Sequence, residues 1–236
     1  MTARLLLRRV ATAAKATYLP AEAIALARAY ALAPFDETVE IAMNLLVNPR
    51  RGDQLVRGSC FLPKGLGKTV KLGVFTSETY AAQALAAGAD IAGDALIAMV
   101  EKGQADFEKV LATSEMVAQL KKYGKLLGPK GLMPSAKVGT VVDIFNLDEA
   151  IKKAKEGQVT FRVEESGVLH AAIGKASFSI ENLVANYLAL VQEVNRLRPA
   201  SLKGKYVASA YLKTTHGPAW RLAAEAIDSK AKGSIL

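Results

Sequence analysis

Pro63-Lys64-Gly65-Leu66-Gly67-Lys68-Thr69-Val70-Lys71-Leu72-Gly73-Val74-Phe75 is where the chain changes its rhythm. Ahead of it apolar residues alternate: Val39, Ile41, Met43, Leu45 and Val47 recur at every second position, the period of a half-buried strand. Behind it, an apolar run over 70–75 is followed by alanine-rich helical segments and further short strands, the pattern of a largely parallel sheet. Two nucleotide motifs can be tested on the glycines in between. A phosphate loop needs a glycine five residues before the glycine of Gly67-Lys68-Thr69, and Leu62 stands there. The dinucleotide pattern needs a third glycine where Val70 lies. Both fail, and the stretch reads as a glycine-rich connection between two differently built parts.

Upstream, residues 20–33 predict a helix opened by Pro20 and stopped by Pro34. Residues 37–47 and 55–62 predict strands. Downstream, strands are expected over 70–75 and 109–112, and helices over 78–87, 95–102 and 114–123, the last capped by Ser114. An irregular segment at 124–140 precedes a helix over 147–156, with Asn146 as its cap and Gly157 as its stop. Asp148 and Glu149 in its first turn and Lys152, Lys153 and Lys155 later complement the helix dipole. Beyond it, 159–163 and 168–173 predict a β-hairpin. Ser179 opens a helix with Leu183, Tyr187, Leu190 and Val194 on one stripe. Residues 205–215 predict a strand and 219–229 a terminal helix. The fold class is therefore α/β in two domains. Residues 18–69 and 158–236 form a discontinuous α+β domain with antiparallel strands, and 70–157 form an inserted α/β domain. Glycines near both crossings suit a hinge.

Charge divides the same way. The 236 residues carry a net +9. Residues 18–69 hold six bases and five acids, 70–157 eleven of each, and 158–236 ten bases and six acids. A neutral insert between basic flanks directs any polyanion to the flanks. Residues 1–17 hold four bases, Arg4, Arg8, Arg9 and Lys15, and no acid. On a helix Arg4, Arg8 and Lys15 share one side, opposite Leu6, Val10 and Ala13, as in an organellar transit peptide or a basic helical tail. No run of about 18 uncharged apolar residues predicts a membrane span.

Catalytic signals are weak. A single cysteine, Cys60, excludes a disulfide framework and a cysteine zinc finger. The two histidines, His170 and His216, lie far apart with no metal-ligand spacing. Asp36 and Glu40 share a strand face with a threonine, which makes no metal cage.

Several blocks carry a specific resemblance: Phe35-Asp36-Glu37-Thr38-Val39-Glu40, Asp53-Gln54-Leu55-Val56-Arg57-Gly58 and Leu62 through Lys68. It continues in Ala87-Gly88-Ala89-Asp90, in Leu127-Gly128-Pro129-Lys130-Gly131-Leu132-Met133-Pro134 and in Lys137-Val138-Gly139-Thr140. It closes with Gly167-Val168-Leu169-His170-Ala171, Ile173-Gly174-Lys175 and Thr214-Thr215-His216-Gly217-Pro218. Over about residues 18–221 the chain resembles the bacterial and organellar ribosomal L-one family, the protein of the large subunit's mobile side stalk. The resemblance implies a two-domain fold with an RNA-binding terminal domain and a Rossmann-like α/β insert. It implies no catalysis and no cofactor. The implied partners are large-subunit ribosomal RNA, exit-site tRNA transiently, and other large-subunit proteins, with no membrane.

Phe35, Thr38, Glu40, Ser209, Thr215 and Gly217 match positions the family sets against RNA, and His170 and His216 join them. Thr38 and Ser209 offer hydroxyls to phosphate or 2′-OH groups, and Glu40 accepts from 2′-OH or base amino groups. Arg57, Lys64, Lys68, Arg162 and Lys175 are the expected phosphate partners. His216 departs from the family, which has methionine there. A transit peptide would be at most about the first 17 residues, overlapping the family's first basic helix. The expected compartment is the mitochondrial matrix, with plastid or bacterial cytoplasm as alternatives. Two other functions fit less of the sequence: a free RNA-binding translational regulator, and a nucleotide-binding α/β enzyme.

Overall fold

The computed structural model describes residues 17–103 and 107–227; the basic amino-terminal stretch before residue 17 lies outside them. In chain order the elements begin with α1 (Pro20–Ala29), β1 (Thr38–Leu45), β2 (Arg57–Phe61), β3 (Leu72–Phe75) and α2 (Glu78–Ala86). Then come β4 (Ile91–Ala92), α3 (Asp94–Glu101), β5 (Lys109–Thr113), β6 (Val141–Val142) and α4 (Leu147–Glu156). The chain closes with β7 (Gln158–Arg162), β8 (Val168–Lys175), α5 (Ile180–Arg196), β9 (Val207–Thr214) and β10 (Trp220–Arg221). Between β5 and β6 run two single-turn helices, Val117–Leu120 and Gly124–Leu127.

The described residues form two compact units, 17–67 with 159–227, and 68–103 with 107–158. The chain crosses at Gly67–Lys68, two residues before the rhythm change at Val70, and Gln158 stays with the second unit.

The first unit carries an antiparallel sheet in the order β10-β9-β1-β8, with β2 and β7 paired beside it. Val39, Ile41, Met43 and Leu45 of β1 are buried, and Thr38, Glu40 and Ala42 are half-buried on the opposite face. The buried face meets α1 through Ala23, Ile24 and Ala27 and α5 through Leu183, Tyr187, Leu190 and Val194. Ser179 caps α5, its hydroxyl accepting from Asn182 N at 3.3 Å. Both flanks of the chain close this unit together. Tyr18 N donates to Arg221 O and Ala223 N to Tyr18 O, both at 2.9 Å. The Trp220 indole is packed edge-on by Tyr18 (5.4 Å) and obliquely by Tyr30 (5.5 Å).

The second unit holds a parallel sheet in the order β4-β3-β5-β6. Its central strands are buried on both faces, which is why they read as short apolar runs. Leu72, Val74 and Leu111 point towards Ala84 of α2 and Leu147, Ile151 and Ala154 of α4. Phe75, Val110 and Ala112 point towards Leu96 and Val100 of α3, Leu120 of the first single-turn helix, and Leu127 and Leu132 beyond it.

Four local expectations are corrected. Ser114 does not cap a helix: its N–H donates to Val142 O and its hydroxyl to Asp143 Oδ1, which ties it to the edge strand β6. The helix over 147–156 forms, but Asn146 makes no side-chain cap bond, because a 3-10 turn over Ile144–Asn146 already leads the backbone into it. The expected hairpin is split between sheets: β7 pairs with β2 and β8 with β1, joined by one bridge at Val163–Leu169. In place of a terminal helix, β10 and a 3-10 turn over Ala224–Ala226 follow, since burying Trp220 uses extended backbone bonded to β9; residue 229 lies outside the described residues.

The glycine loop is anchored by Asn186 on α5, whose side chain is fully buried. Its Oδ1 accepts from Lys64 N (3.0 Å), and its Nδ2 donates to Gly65 O (2.9 Å) and Ile173 O (2.8 Å). Asn186→Leu keeps the bulk but leaves an N–H and two carbonyls without these partners, at a cost of about 3 kcal/mol. Urea unfolding of the variant should reveal this loss, and an unchanged midpoint would refute the anchoring role.

Candidate nucleic-acid interface

The open face of the four-stranded sheet and the loops at one end of it gather most of the residues singled out from the sequence. Glu40 faces Ala172 on β8 and Lys213 on β9, with the Lys213 ammonium 3.5 Å from the Glu40 carboxylate. Ala42 lies between His170 and Tyr211, and Asn44 between Val168 and Ser209. Lys175 reaches this face by a β-bulge. Glu40 pairs with Ala172, but Val39 pairs with Gly174 and Thr38 with Lys175, so β8 carries one extra residue. That residue reverses the alternation and turns Lys175 outward beside Thr38. Its ammonium donates to Thr38 Oγ1 (2.9 Å) and Asp36 O (3.3 Å).

At the same end of the sheet, the loop after β9 folds over the entrance to β1. Thr215 Oγ1 accepts from Thr38 N at 3.1 Å. The exposed His216 ring meets Phe35 edge-on, with centroids 5.6 Å apart and Phe35 half exposed. Gly217 N donates to Thr214 O at 3.2 Å. A Cβ at Gly217 would run into the Thr214 hydroxyl, so any larger residue has to displace that side chain.

Beneath this corner lies Glu37, a residue of the quoted motif that was not among the candidates. It is 1% exposed. Its Oε1 accepts from Ala33 N and its Oε2 from His216 N, both at 2.9 Å. Burial alone would raise its pKa, but the His216 and Ala33 amides outweigh it and hold the carboxyl below its ordinary value. Its alternation with the buried Val39 placed Glu37 on the inner face; an acid there needs built-in donors, and that was the available signal.

The remaining candidates lie elsewhere. Arg57 and Arg162 stand at one end of the β2–β7 pair, where Val163 N donates to Val56 O at 3.0 Å. Arg162 lines an open cleft with Pro49, Arg50, Leu55, Val163, Glu164 and Glu165. Lys64 is exposed on the glycine loop. Lys68 is exposed at the end of the same loop and belongs to the second unit, where its ammonium pairs with Glu108 at 2.8 Å. Cys60 is buried and its thiol is pushed up to about 11 by burial, which keeps it protonated and non-nucleophilic near neutrality.

The corner thus exposes ammonium, hydroxyl, carboxylate and ring groups on a braced backbone. That set can bond sugar hydroxyls, phosphates and base edges together. Replacing Glu37 by Gln keeps its size but leaves one acceptor where two are used, at a cost of about 2 kcal/mol. Because the folded pKa lies below the ordinary 4.5, this contribution is complete above that value and is lost as pH falls through the folded one. The stability gap between wild type and Glu37→Gln should therefore be full at neutral pH and close on acidification. Denaturant unfolding across pH checks this; a pH-independent gap would contradict it.

The comparisons agree on one family. The model of the Ribosomal protein L1p/L10e family matches residues 27–218, a span containing β1, β8, β9 and the loop that follows. A large ribosomal subunit protein uL1 of Maridesulfovibrio salexigens is 46% identical over 202 residues, covering 85% of this chain and 86% of that protein. The proteins of the same name from two strains of Nitratidesulfovibrio vulgaris, DP4 and Hildenborough, are each 47% identical over 202 residues, with 85% of both chains covered. Matched across both flanks and the insert at this identity, the chain belongs to the Ribosomal protein L1p/L10e family.

Proposed function

We propose that this chain, on the large ribosomal subunit, clamps a folded segment of large-subunit ribosomal RNA with its first unit. The complex forms the mobile side stalk that assists release of deacylated tRNA from the exit site. The chain is a structural constituent of that subunit, and its work is binding without catalysis. One observation carries this reading: the bulge that turns Lys175 outward and the Thr215–Gly217 loop converge on Thr38. Phe35, Thr38, Glu40, His170, Lys175, Ser209, Thr215, His216 and Gly217 form the contact face, and Arg57, Lys64 and Arg162 extend it to outlying phosphates. The second unit, balanced in charge over residues 70–157, contributes little affinity.

Salt dependence tests the phosphate contacts. Arg162→Met should flatten the plot of log affinity against log salt by about 0.7–0.9, one phosphate's worth. An unchanged slope would remove Arg162 from the interface. Co-sedimentation with large subunits at high salt tests the stalk assignment, and a protein that remains in the free fraction counts against it.

The acid-free stretch with Arg4, Arg8, Arg9 and Lys15 supports delivery to the mitochondrial matrix. Residues 1–17 fused to a fluorescent reporter should carry it into mitochondria, and Gln at the three arginines should stop entry. A reporter left in the cytosol would place the protein on a ribosome outside mitochondria.

A further inference from the structure

One row of residues crosses all four strands of the sheet. Arg221 on β10 pairs with Tyr211 on β9, Tyr211 with Ala42 on β1, and Ala42 with His170 on β8. The row lies on the open face, for its strand neighbours Ile41, Met43, Ala210, Leu212, Leu169 and Ala171 are all buried. At its centre is a methyl group, and on either side of the methyl stands a planar side chain.

The spacing suits a third ring. Strands β9 and β8 lie two inter-strand steps apart, about 9.6 Å at about 4.8 Å per step. A planar group seated over Ala42 would be about 4.8 Å from each neighbour, within the range of offset-stacked rings. Among the described residues, neither the Tyr211 hydroxyl nor the His170 imidazole has a hydrogen-bond or ring partner. The adjoining rows supply polar groups, Glu40 with Lys213 on one side and Asn44 with Ser209 on the other. A cation, Arg221, stands at the outer end. Planar side chains around a small-residue floor, polar groups beside it and a positive end match one ligand chemistry, a nucleotide whose base has left its stack.

We propose that Tyr211 and His170 hold a single unstacked RNA base over Ala42, with Arg221 meeting an adjoining phosphate. The proposal rests on the reading of this face as the RNA contact and adds a base-binding seat to it. A fully paired A-form helix cannot fill the seat, because its bases stay stacked; a loop, bulge or junction can.

The test uses the full-length protein and a transcript of the large-subunit RNA region that it protects from ribonuclease. Tyr211→Phe, which keeps the ring, should bind within about twofold of wild type, whereas Tyr211→Ser should bind about tenfold more weakly. Ala42→Leu, which fills the seat, should match Tyr211→Ser. Ultraviolet irradiation of the wild-type complex should crosslink RNA to the peptide carrying Tyr211 or to that carrying His170, a readout independent of how well any variant folds. Wild-type affinity in Tyr211→Ser, or crosslinks confined to the Thr215–Gly217 loop, would overturn the seat and leave the RNA reading standing. Failure of the wild-type chain to bind any large-subunit RNA would overturn both.

Discussion

The arrangement of the contact corner depends on one buried carboxylate. Glu37 sits at the mouth of β1 and accepts backbone N–H groups from Ala33, in the segment before the strand, and from His216, in the loop after β9. These two segments are far apart in sequence, and burying either amide without a partner would be costly. The carboxylate satisfies both and fixes the distance between them. Thr38, one residue on, can then donate its N–H to the Thr215 hydroxyl and receive the Lys175 ammonium on its own. Phe35 and His216 pack edge to face over the same point. The exposed groups are thus set by a buried one, and the geometry is in place before any ligand arrives, which lowers the ordering cost of binding.

That corner is not a field of positive charge. Lys213 already faces Glu40, Lys175 already bonds Thr38 and Asp36 O, and Asp36 itself accepts from the Ser177 hydroxyl at 2.7 Å. Such a surface attracts a polyanion weakly at long range and discriminates at contact, where each hydroxyl and carboxylate needs a matching donor or acceptor. Among the described residues, Arg57 and Arg162 on the β2–β7 pair and Lys64 on the glycine loop carry no ion pair within the chain. Overall charge and local chemistry are therefore separate properties: +9 over the chain favours the approach of any polyanion, whereas the braced corner offers an ordered set of donors and acceptors.

The parts of this that the sequence carried were those with a strict local period. The alternation from Val39 to Leu45 predicted which face of β1 is buried, and the stripe on α5 predicted its contact with the sheet. The runs at 70–75 and 109–112 had the length and composition of strands covered on both faces, and the strands formed are Leu72–Phe75 and Lys109–Thr113. Where reading failed, a non-local partner had displaced a local one. Ser114 prefers the Asp143 carboxylate to a helix amide, and Trp220 is held extended by Tyr18, Tyr30 and β9. Val159–Val163 looked like half a hairpin because the identity of its true neighbour, β2, is written about a hundred residues upstream. The contact residues themselves came from motif resemblance. The bulge that turns Lys175 outward is not visible in a period, since it depends on cross-strand register, and the period that put Glu37 on the inner face did not name its donors, Ala33 N and His216 N.

The glycine loop at 63–68 shows why a phosphate-loop composition here implies no phosphate site. A phosphate cradle requires several backbone N–H groups free and convergent at a helix N-terminus. In this loop Lys64 N is given to the Asn186 side chain and Gly65 N to Leu62 O. Gly67 adopts a positive φ of 71°, and a Cβ there would lie 2.8 Å from the Phe178 ring. The glycines serve close packing and a left-handed turn, while the Lys64 amide holds the loop to α5 and the Gly65 amide closes a turn within it. The lysines, unlike the amides, remain at the surface, where a charge can meet RNA without any cradle. Glycine and lysine in this segment thus have separate physical roles, one inward and one outward, and their adjacency in sequence imitates a nucleotide motif without its geometry.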